Sequence, residues 1–278
     1  FMRRLIVNAD DLGMNAPRTH GIFQCMDQGI VRSATLIPNM ADSDAAVRHC
    51  KERGIGIGLH INLSEGAALS NERDIATLLD PSGFLMGKTR TRKALDENAI
   101  DPTHLERELR AQLEWCLDHY GQPTHVDGHQ HLHVHPAVAP VLAPILSRYG
   151  ITIVRVPSET LERLPWEIPE ERAVWIRMIS AQASHARDIF SSADLRSTDH
   201  FRGMALSGEA NARKFRHLLC ALPEGTTELM VHPGACDPSG DDFSRDPQRE
   251  TERNMLCDPD LPALLLSRGI ELISFDNL

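Results

Sequence analysis

Short runs of aliphatic and β-branched residues recur along the chain, with helical periodicity between them. Seven such runs predict β-strands: residues 4–9, 34–38, 55–62, 124–128, 152–156, 228–232 and 271–275. The runs at 5–7 and 229–231 are apolar without alternation, which is typical of strands covered on both faces. Strands that alternate with helices favour a mainly parallel sheet. We therefore predict an α/β fold, a distorted, TIM-like (β/α) barrel with outer helices.

Helical periodicity is clearest at residues 103–120, where apolar positions form one stripe and Gly121 follows as a stop. Residues 136–149 show a similar pattern. Because Pro140 and Pro144 lie inside this second pattern, the helix is either kinked or begins later than its apolar positions suggest.

Two longer stretches carry weaker patterns. Residues 69–101 are rich in charge and turn residues, so we expect them to leave the sheet in a position to cover a substrate. Residues 157–208 are assigned to helices only loosely. No Pro-, Gly- or Ser-rich linker separates two halves, and we predict a single domain spanning residues 2–278.

Composition narrows the classes of partner. The chain of 278 residues is 41% hydrophobic, enough for one large core, and its formal net charge is −10 at pH 7. This charge repels phosphate backbones and anionic headgroups, which argues against nucleic acid as a partner. No apolar run approaches the roughly twenty residues that cross a bilayer, and we expect a cytosolic location. The sequence leaves the oligomeric state open, and a homodimer is compatible with it.

Cysteine and histidine are distributed differently. The 6 cysteines are far apart and contain no CxxC pair, which disfavours a zinc knuckle and a disulfide framework. The 14 histidines instead concentrate where metal chemistry would place them.

Polar side chains follow the predicted strands at their C-terminal ends. Asp10 and Asp11 close the first strand, His60 closes the third and His232 closes a late one. The histidine-rich tract 125–135 closes the fourth strand. Because parallel α/β sheets build their active sites at this edge, we expect these acids and imidazoles to converge on one mouth.

Asp10 and Asp11 directly follow an apolar strand, where adjacent carboxylates repel each other unless a cation or a proton offsets their charge. A metal ion is the simplest remedy. Since neighbouring residues point in different directions, one carboxylate can bind the ion while the other acts as a general base on a bound water. The competing interpretation is a turn that ends the strand and caps the next helix.

The tract 125–136 is the most informative part of the chain, because its polar residues occur at every second position. In an extended backbone His125, Asp127 and His129 project to the same side. Gly128 is expected to bend the chain, so His131 and the later histidines need not share that direction.

Imidazole and carboxylate suit a borderline or hard divalent ion, and a catalytic site typically keeps three protein ligands and an exchangeable water. The tract has more histidines than such a site requires. The others are expected to hold ligands through their second ring nitrogen, to contact substrate or to lie in the loop. The alternative is a surface tract that scavenges metals.

Several strand-end residues have two interpretations. His60, which lies near Asn62, is either a structural strand histidine or a ligand. His232 is either a general acid that protonates a departing amine or a support for the turn Pro-Gly. Arg155 could pair with Asp10 and keep that carboxylate ionised. The polar cluster 199–201 is left without a role.

Four motifs occur in order from Asn8 to Gly234, namely NADDLG, GIGLHINL, THVDGHQHLHVHP and VHPG. Together they resemble the YdjC-like carbohydrate deacetylases. That group includes chitooligosaccharide deacetylases and members that act on lipid-linked sugars, such as hopanoid-associated deacetylases. The resemblance implies a distorted β/α barrel that binds one divalent ion, commonly magnesium or zinc, through an Asp and two His.

The resemblance also implies roles for individual residues. Asp11, His60 and His129 would hold the metal, Asp10 would be the base and His232 the acid. The implied reaction removes the acetyl group from an N-acetylated amino sugar, such as a chito-oligosaccharide, and releases acetate. Further side chains are expected to contact substrate or to support the ligands: His125, Asp127, His131, Arg155 and Asn62.

Two other functions stay open at this level. Strand-end Asp and His clusters also serve metal-dependent phosphoesterases and amidohydrolases, but a bridged second metal about 4 Å from the first would need more carboxylate ligands. A non-catalytic sugar-binding or metal-binding barrel is the other alternative. Aromatic residues make up only 5% of the chain, which argues against an extended platform for stacking sugars.

Overall fold

The computed structural model describes residues 2–162 and 164–278 as an alternation of strands and helices. The strands are β1 (Arg3–Leu12), β2 (Ser33–Leu36), β3 (Gly58–Ile61), β4 (Val126–Gly128), β5 (His200–Arg202), β6 (Gly225–Val231) and β7 (Ile270–Ile273). The α-helices are α1 (Ala16–Gln28), α2 (Ser43–Arg53), α3 (Lys88–Asp96), α4 (Pro102–His119), α5 (Ala139–Arg148), α6 (Glu170–Ser192), α7 (Ala212–Cys220), α8 (Asp242–Arg245), α9 (Gln248–Leu256) and α10 (Leu261–Ser267).

The strands form one parallel sheet in the order β4-β3-β2-β1-β6-β5. On one side of β1, β7 pairs with its first half and β2 with its second half, so the two share one edge. Beyond β4 the sheet continues through single bridges from Val126 to Val154 and from Ile153 to Arg196. The result is a curved half-barrel with surrounding helices, as the distorted (β/α) barrel prediction required.

Side-chain alternation in β1 separates the outside of the sheet from its inside. Leu5, Val7 and Ala9 are buried in the cluster formed with the outer helices. Ile6, in contrast, packs with Ile153, Ile273 and Phe275 in a small separate cluster. The even-numbered positions of β1 therefore face the interior, where Asn8 and Asp10 continue the same face toward the C-terminal edge.

Two strand predictions need correction. The predicted strand 152–156 forms only single bridges, from Val154 to Val126 and from Ile153 to Arg196, and Pro157, which has no N–H, prevents a ladder from continuing beyond it. The predicted strand 55–62 is shortened to Gly58–Ile61. The strand β5 was not predicted at all, since its three residues are flanked by polar residues and give no periodic signal.

The two predicted helices are found with shifted bounds. The first is α4, which begins at Pro102 and ends at His119. The second is α5, which begins only at Ala139, so that Pro140 falls in the first turn where its missing N–H costs nothing. The loosely assigned region 157–208 contributes the long helix α6.

The excursion 69–101 packs mainly against the core. Its residues Ile75, Leu78 and Leu95 are buried in the cluster that includes α4. Within the described residues of this stretch only Lys88, at the start of α3, lines the cavity at the mouth of the sheet. The stretch thus contributes one side chain to that cavity. Across the described residues, no helix has both the length and the apolar character that a bilayer crossing demands.

Helix α10 offers a test of this packing with adjacent leucines. Leu265 is 3% exposed and Leu266 is 82% exposed. We expect Leu265→Ala to lower the free energy of unfolding by about 2–5 kcal/mol, because it leaves a cavity in the outer core. The control Leu266→Ala should change it by no more than about 0.5 kcal/mol. Urea denaturation measures both, and equal losses would contradict the placement of α10.

Candidate active site

The two adjacent acids lie at an irregularity near the C-terminal end of β1. The register between β1 and β2 shifts between Ala9 and Leu12, and Asp11 has a φ of 67°. A non-glycine residue adopts such a φ only when its surroundings favour it. Because of this bulge, Asp10 and Asp11 both line the same cavity while their carboxylates have different partners.

Asp11, His60 and His129 come together although they are remote in sequence. The Oδ1 of Asp11 lies 3.4 Å from the Nε2 of His60 and 3.0 Å from the Nδ1 of His129. Each residue offers one ligand atom, and these atoms all lie within 4.8 Å of one another. The Nη1 of Arg18 donates to Oδ2 of Asp11 at 2.8 Å, which leaves Oδ1 directed at the two rings.

The far nitrogen of each ring faces another carboxylate. The Nδ1 of His60 lies 2.6 Å from Oδ1 of Asp127, and the Nε2 of His129 lies 3.3 Å from Oε1 of Glu65. A hydrogen-bonded outer carboxylate such as Asp127 fixes the tautomer and the direction of a metal-binding imidazole. Glu65 makes an ion-pair contact only, since Nε2 of His129 has no hydrogen-bond partner in the described structure. Glu65 lines the cavity and was not identified from the sequence, where nothing distinguishes it from a loop acid.

The charges around this group favour cations. Burial opposes a charged ring, but the carboxylates of Asp127 and Asp10 raise the pKa of His60 to about 10. Burial likewise opposes charge on His129, while Asp11 and Glu65 raise its pKa to about 9. The site thus stabilises two positive charges on the rings. A divalent ion bound by neutral rings supplies the same two charges, so this donor set fits a divalent cation.

Arg155 is the second centre of the site, and it meets three carboxylates. Its guanidinium contacts Asp10 at 2.6 and 2.7 Å through its two terminal nitrogens. It also contacts Oδ2 of Asp127 at 2.8 Å and Oε1 of Glu228 at 2.7 Å. Burial by itself raises the pKa of Asp10, but Arg155 overrides that effect and holds the pKa below its ordinary value. The predicted contact between Arg155 and Asp10 is therefore present.

His232 lies directly after β6, near the carboxylate of Asp10. Its Nε2 is 4.0 Å from Oδ2 of Asp10. The backbone of His232 is held by two side chains of α9, since its N–H donates to Glu252 at 2.6 Å and its carbonyl accepts from Arg249 at 3.1 Å. Burial lowers the pKa of His232 despite the nearby Asp11 and Asp10, so the resting ring is neutral near pH 7.

The cavity in front of these residues measures about 820 Å³. That volume is in the range of sites for small molecules. Several side chains that line it were not identified from the sequence, because they come from helices that show no motif. Among these side chains, Lys88 and Arg172 carry positive charge and Trp175 offers an aromatic surface.

Two of the predicted site residues lie away from the cavity in the described structure. His125 does not line the cavity in the described structure; it is fully buried, stacks on Phe275 and pairs with Thr124 through Nδ1. Asn62 does not line the cavity either. Its Oδ1 accepts from the N–H of Glu65 at 3.0 Å, so Asn62 fixes the loop that carries Glu65.

The side chains of the remaining histidines of the tract point in different directions after Gly128, as expected from a bend at that residue. Gln130 and His131 have φ values of 54° and 58°, and His131 lines the cavity. The Nε2 of His133 pairs with the carbonyl of Arg155 at 3.0 Å, and His135 pairs with Asp96. The cluster 199–201 begins β5 and lies at the opposite end of the strands, where Asp199 accepts from Thr226 and His200 pairs with Glu224.

Comparison with known proteins gives consistent matches over nearly the whole chain. A family model described as YdjC-like protein matches residues 4–267. A carbohydrate deacetylase from Homo sapiens is 35% identical over 294 residues, which cover 99% of this chain and 91% of the relative. A chitooligosaccharide deacetylase from Salmonella paratyphi B is 28% identical over 278 residues, covering 98% of each chain.

A solved structure matches as well. The crystal structure of a proposed cellobiose-phosphate cleavage protein from Enterococcus faecalis V583 has a TM-score of 0.78 at 20% identity and covers 100% of this chain and 99% of its own. At that identity the likeness concerns the fold alone.

Fold and site together define a parallel half-barrel protein whose strand ends carry a buried Asp–His–His group able to hold a cation. Within that class, the chain belongs to the YdjC-like protein family. The family predicted from the four sequence motifs is thereby confirmed.

The contact between Glu65 and His129 can be tested through metal affinity. We expect Glu65→Gln to weaken binding of Zn²⁺ or Mg²⁺ about 10–100-fold, because the amide stabilises the orientation of the ring less well. Isothermal titration calorimetry measures the effect. A control with the same charge change is Glu171→Gln, since Glu171 lines the cavity but makes no contact with the Asp–His–His group in the described part of the chain. Equal affinities for wild type and both variants would contradict a role for Glu65.

Proposed function

We propose that this protein is a metal-dependent hydrolase that removes the acetyl group from an N-acetylated amino sugar. The observation that carries this proposal is the convergence of Asp11, His60 and His129 beside an ionised Asp10 and the ring of His232. The names of the relatives support the reaction, since proteins of the same family are carbohydrate deacetylases. A chito-oligosaccharide or a related glycoconjugate is the substrate class.

Asp11, His60 and His129 would hold one divalent ion, Mg²⁺ or Zn²⁺. Oxygen and imidazole nitrogen are acceptable ligands for both, and the three residues leave coordination positions for water and substrate. When bound, such an ion polarises the acetyl carbonyl and makes a bound water more acidic.

Asp10 is the proposed general base. Arg155 orients its carboxylate through two contacts and keeps it ionised, so it is ready to accept a proton from the attacking water. His232 is the proposed acid for the sugar nitrogen when the C–N bond breaks and acetate leaves. Because the resting ring is neutral, its proton must arrive during the reaction. Asp10, whose Oδ2 lies 4.0 Å from Nε2 of His232, is the group that gains a proton when the water attacks.

The rival two-metal phosphoesterase is less consistent with this site. Asp10, His60 and Asp127 also have ligand atoms within 4.8 Å of one another. However, the guanidinium of Arg155 contacts both of these acids at 2.6–2.8 Å. A fixed organic cation thus neutralises the carboxylates that a second metal would require, which favours chemistry with one metal.

The proposal predicts acetate release from N,N′-diacetylchitobiose by the purified protein. A chelator should abolish the release, and added Mg²⁺ or Zn²⁺ should restore it, because the three ligands cannot replace the ion. A coupled enzymatic assay for acetate measures the rate. No acetate from acetylated sugars of several lengths, with either ion present, would overturn the proposal.

Two variants serve as controls that divide this prediction into its parts. Asp10→Asn should keep metal affinity, measured by calorimetry, while the rate falls about 10²–10⁴-fold, as for the loss of a general base. His129→Ala should lose metal affinity and activity together. Full activity in Asp10→Asn would remove the base assignment but leave the metal site intact.

A further inference from the structure

Glu228 is a buried carboxylate that takes no part in the steps above. It lies in β6, where it pairs in register with Ile6 of β1 and Phe201 of β5. Its side chain is 0% exposed and faces the interior, as does Met230 two residues later. Neither the sequence motifs nor the proposed mechanism explains why an acid is kept there, and burial without a partner would be costly.

The partner of Glu228 is Arg155. The Nε and Nη2 of Arg155 both lie 2.7 Å from the same oxygen, Oε1 of Glu228. The opposite edge of the guanidinium faces Asp10, through Nη1 and Nη2 at 2.6 and 2.7 Å. Nη1 also contacts Asp127 at 2.8 Å. Three of these contacts are hydrogen bonds, from Nε to Glu228 and from Nη1 and Nη2 to Asp10, and the other two are ion pairs.

This arrangement determines the direction of the guanidinium. Anchoring the Nε side on Glu228 leaves the two terminal nitrogens aimed at Asp10, with the planar group lying over the ring of Phe201 at 5.5 Å. Without that anchor, rotation about the last side-chain torsions would let the guanidinium of Arg155 turn toward Asp127 and away from Asp10. We propose that Glu228 is a positioning residue that acts through Arg155 to hold the carboxylate of Asp10 in the orientation needed for catalysis.

The charge balance is consistent with positioning as the function of Glu228. Three buried carboxylates share one guanidinium, so they cannot all be equally stabilised as anions. Burial raises the pKa of Glu228 to about 7 in spite of Arg155. Glu228 therefore contributes geometry more than charge to the group.

The geometry allows position and charge to be separated by substitution. Oε2 of Glu228 has no hydrogen-bond partner in the described structure, since both contacts to Arg155 use Oε1. In Glu228→Gln the amide oxygen can therefore keep both contacts while the charge is lost. In Glu228→Asp the charge is kept, but the carboxylate withdraws by one methylene. Glu228→Leu removes both.

This inference rests on the proposed deacetylase function for its kinetic test. With N,N′-diacetylchitobiose we expect Glu228→Gln to keep kcat close to wild type. Glu228→Asp and Glu228→Leu should lose kcat about 10–100-fold with KM nearly unchanged, because a misplaced base affects the transition state more than binding. The matched control is Leu229→Ala, the next residue of β6, which is buried in the outer core and should lower stability without changing kcat.

Crystal structures of the variants give a readout that needs no activity. The two contacts between Arg155 and Asp10 should persist in Glu228→Gln and be lost in Glu228→Asp and Glu228→Leu. If wild type releases no acetate, the proposed function fails while these structures still decide the positioning role. A higher kcat for Glu228→Asp than for Glu228→Gln, or unchanged contacts of Arg155 in Glu228→Leu, would overturn the inference.

Discussion

The site depends on how four buried carboxylates are balanced at the C-terminal edge of one sheet. Asp10, Asp11, Asp127 and Glu228 are each no more than 2% exposed, so their charges receive little stabilisation from water. Arg155 balances one side of the group through five short contacts. Arg18 and the rings of His60 and His129 surround the other. The positive charge on the Arg155 side is fixed, whereas positive charge on the Asp11 side can also be supplied by an exchangeable ion.

The sequence was informative wherever local pattern and strand-end position coincide. Asp10, Asp11 and His60 could be placed at one mouth because parallel strands end on the same edge of a sheet. The sequence did not predict that Asp11 adopts a φ of 67°, since a bulge with a non-glycine residue depends on tertiary contacts such as that from Arg18. It is this bulge that brings both adjacent acids to the same cavity.

Alternation alone was a poor guide to the role of individual side chains. His125 and Asp127 do project to the same interior side, yet His125 lies one layer deeper and stacks on Phe275. Spacing along a strand predicts which side of the sheet a side chain faces, but not how deeply that side chain is buried. Glu65 and Glu228 were missed for the converse reason, because a loop acid and a strand acid show no pattern until their partners, His129 and Arg155, are placed in space.

The two kinds of cation in this site suit different tasks. A guanidinium offers directed donors, so the three acids around Arg155 constrain one another's orientation and keep Asp10, the proposed base, in place. The divalent ion proposed for the Asp–His–His group would accept new ligands, so water and substrate could exchange on it. Asp127 joins the two halves, since one of its oxygens contacts Arg155 and the other contacts His60. Rotation of Arg155 would thus disturb Asp10, the proposed base, directly and His60, a proposed metal ligand, indirectly, which is why the proposed anchor for that side chain would have a functional consequence.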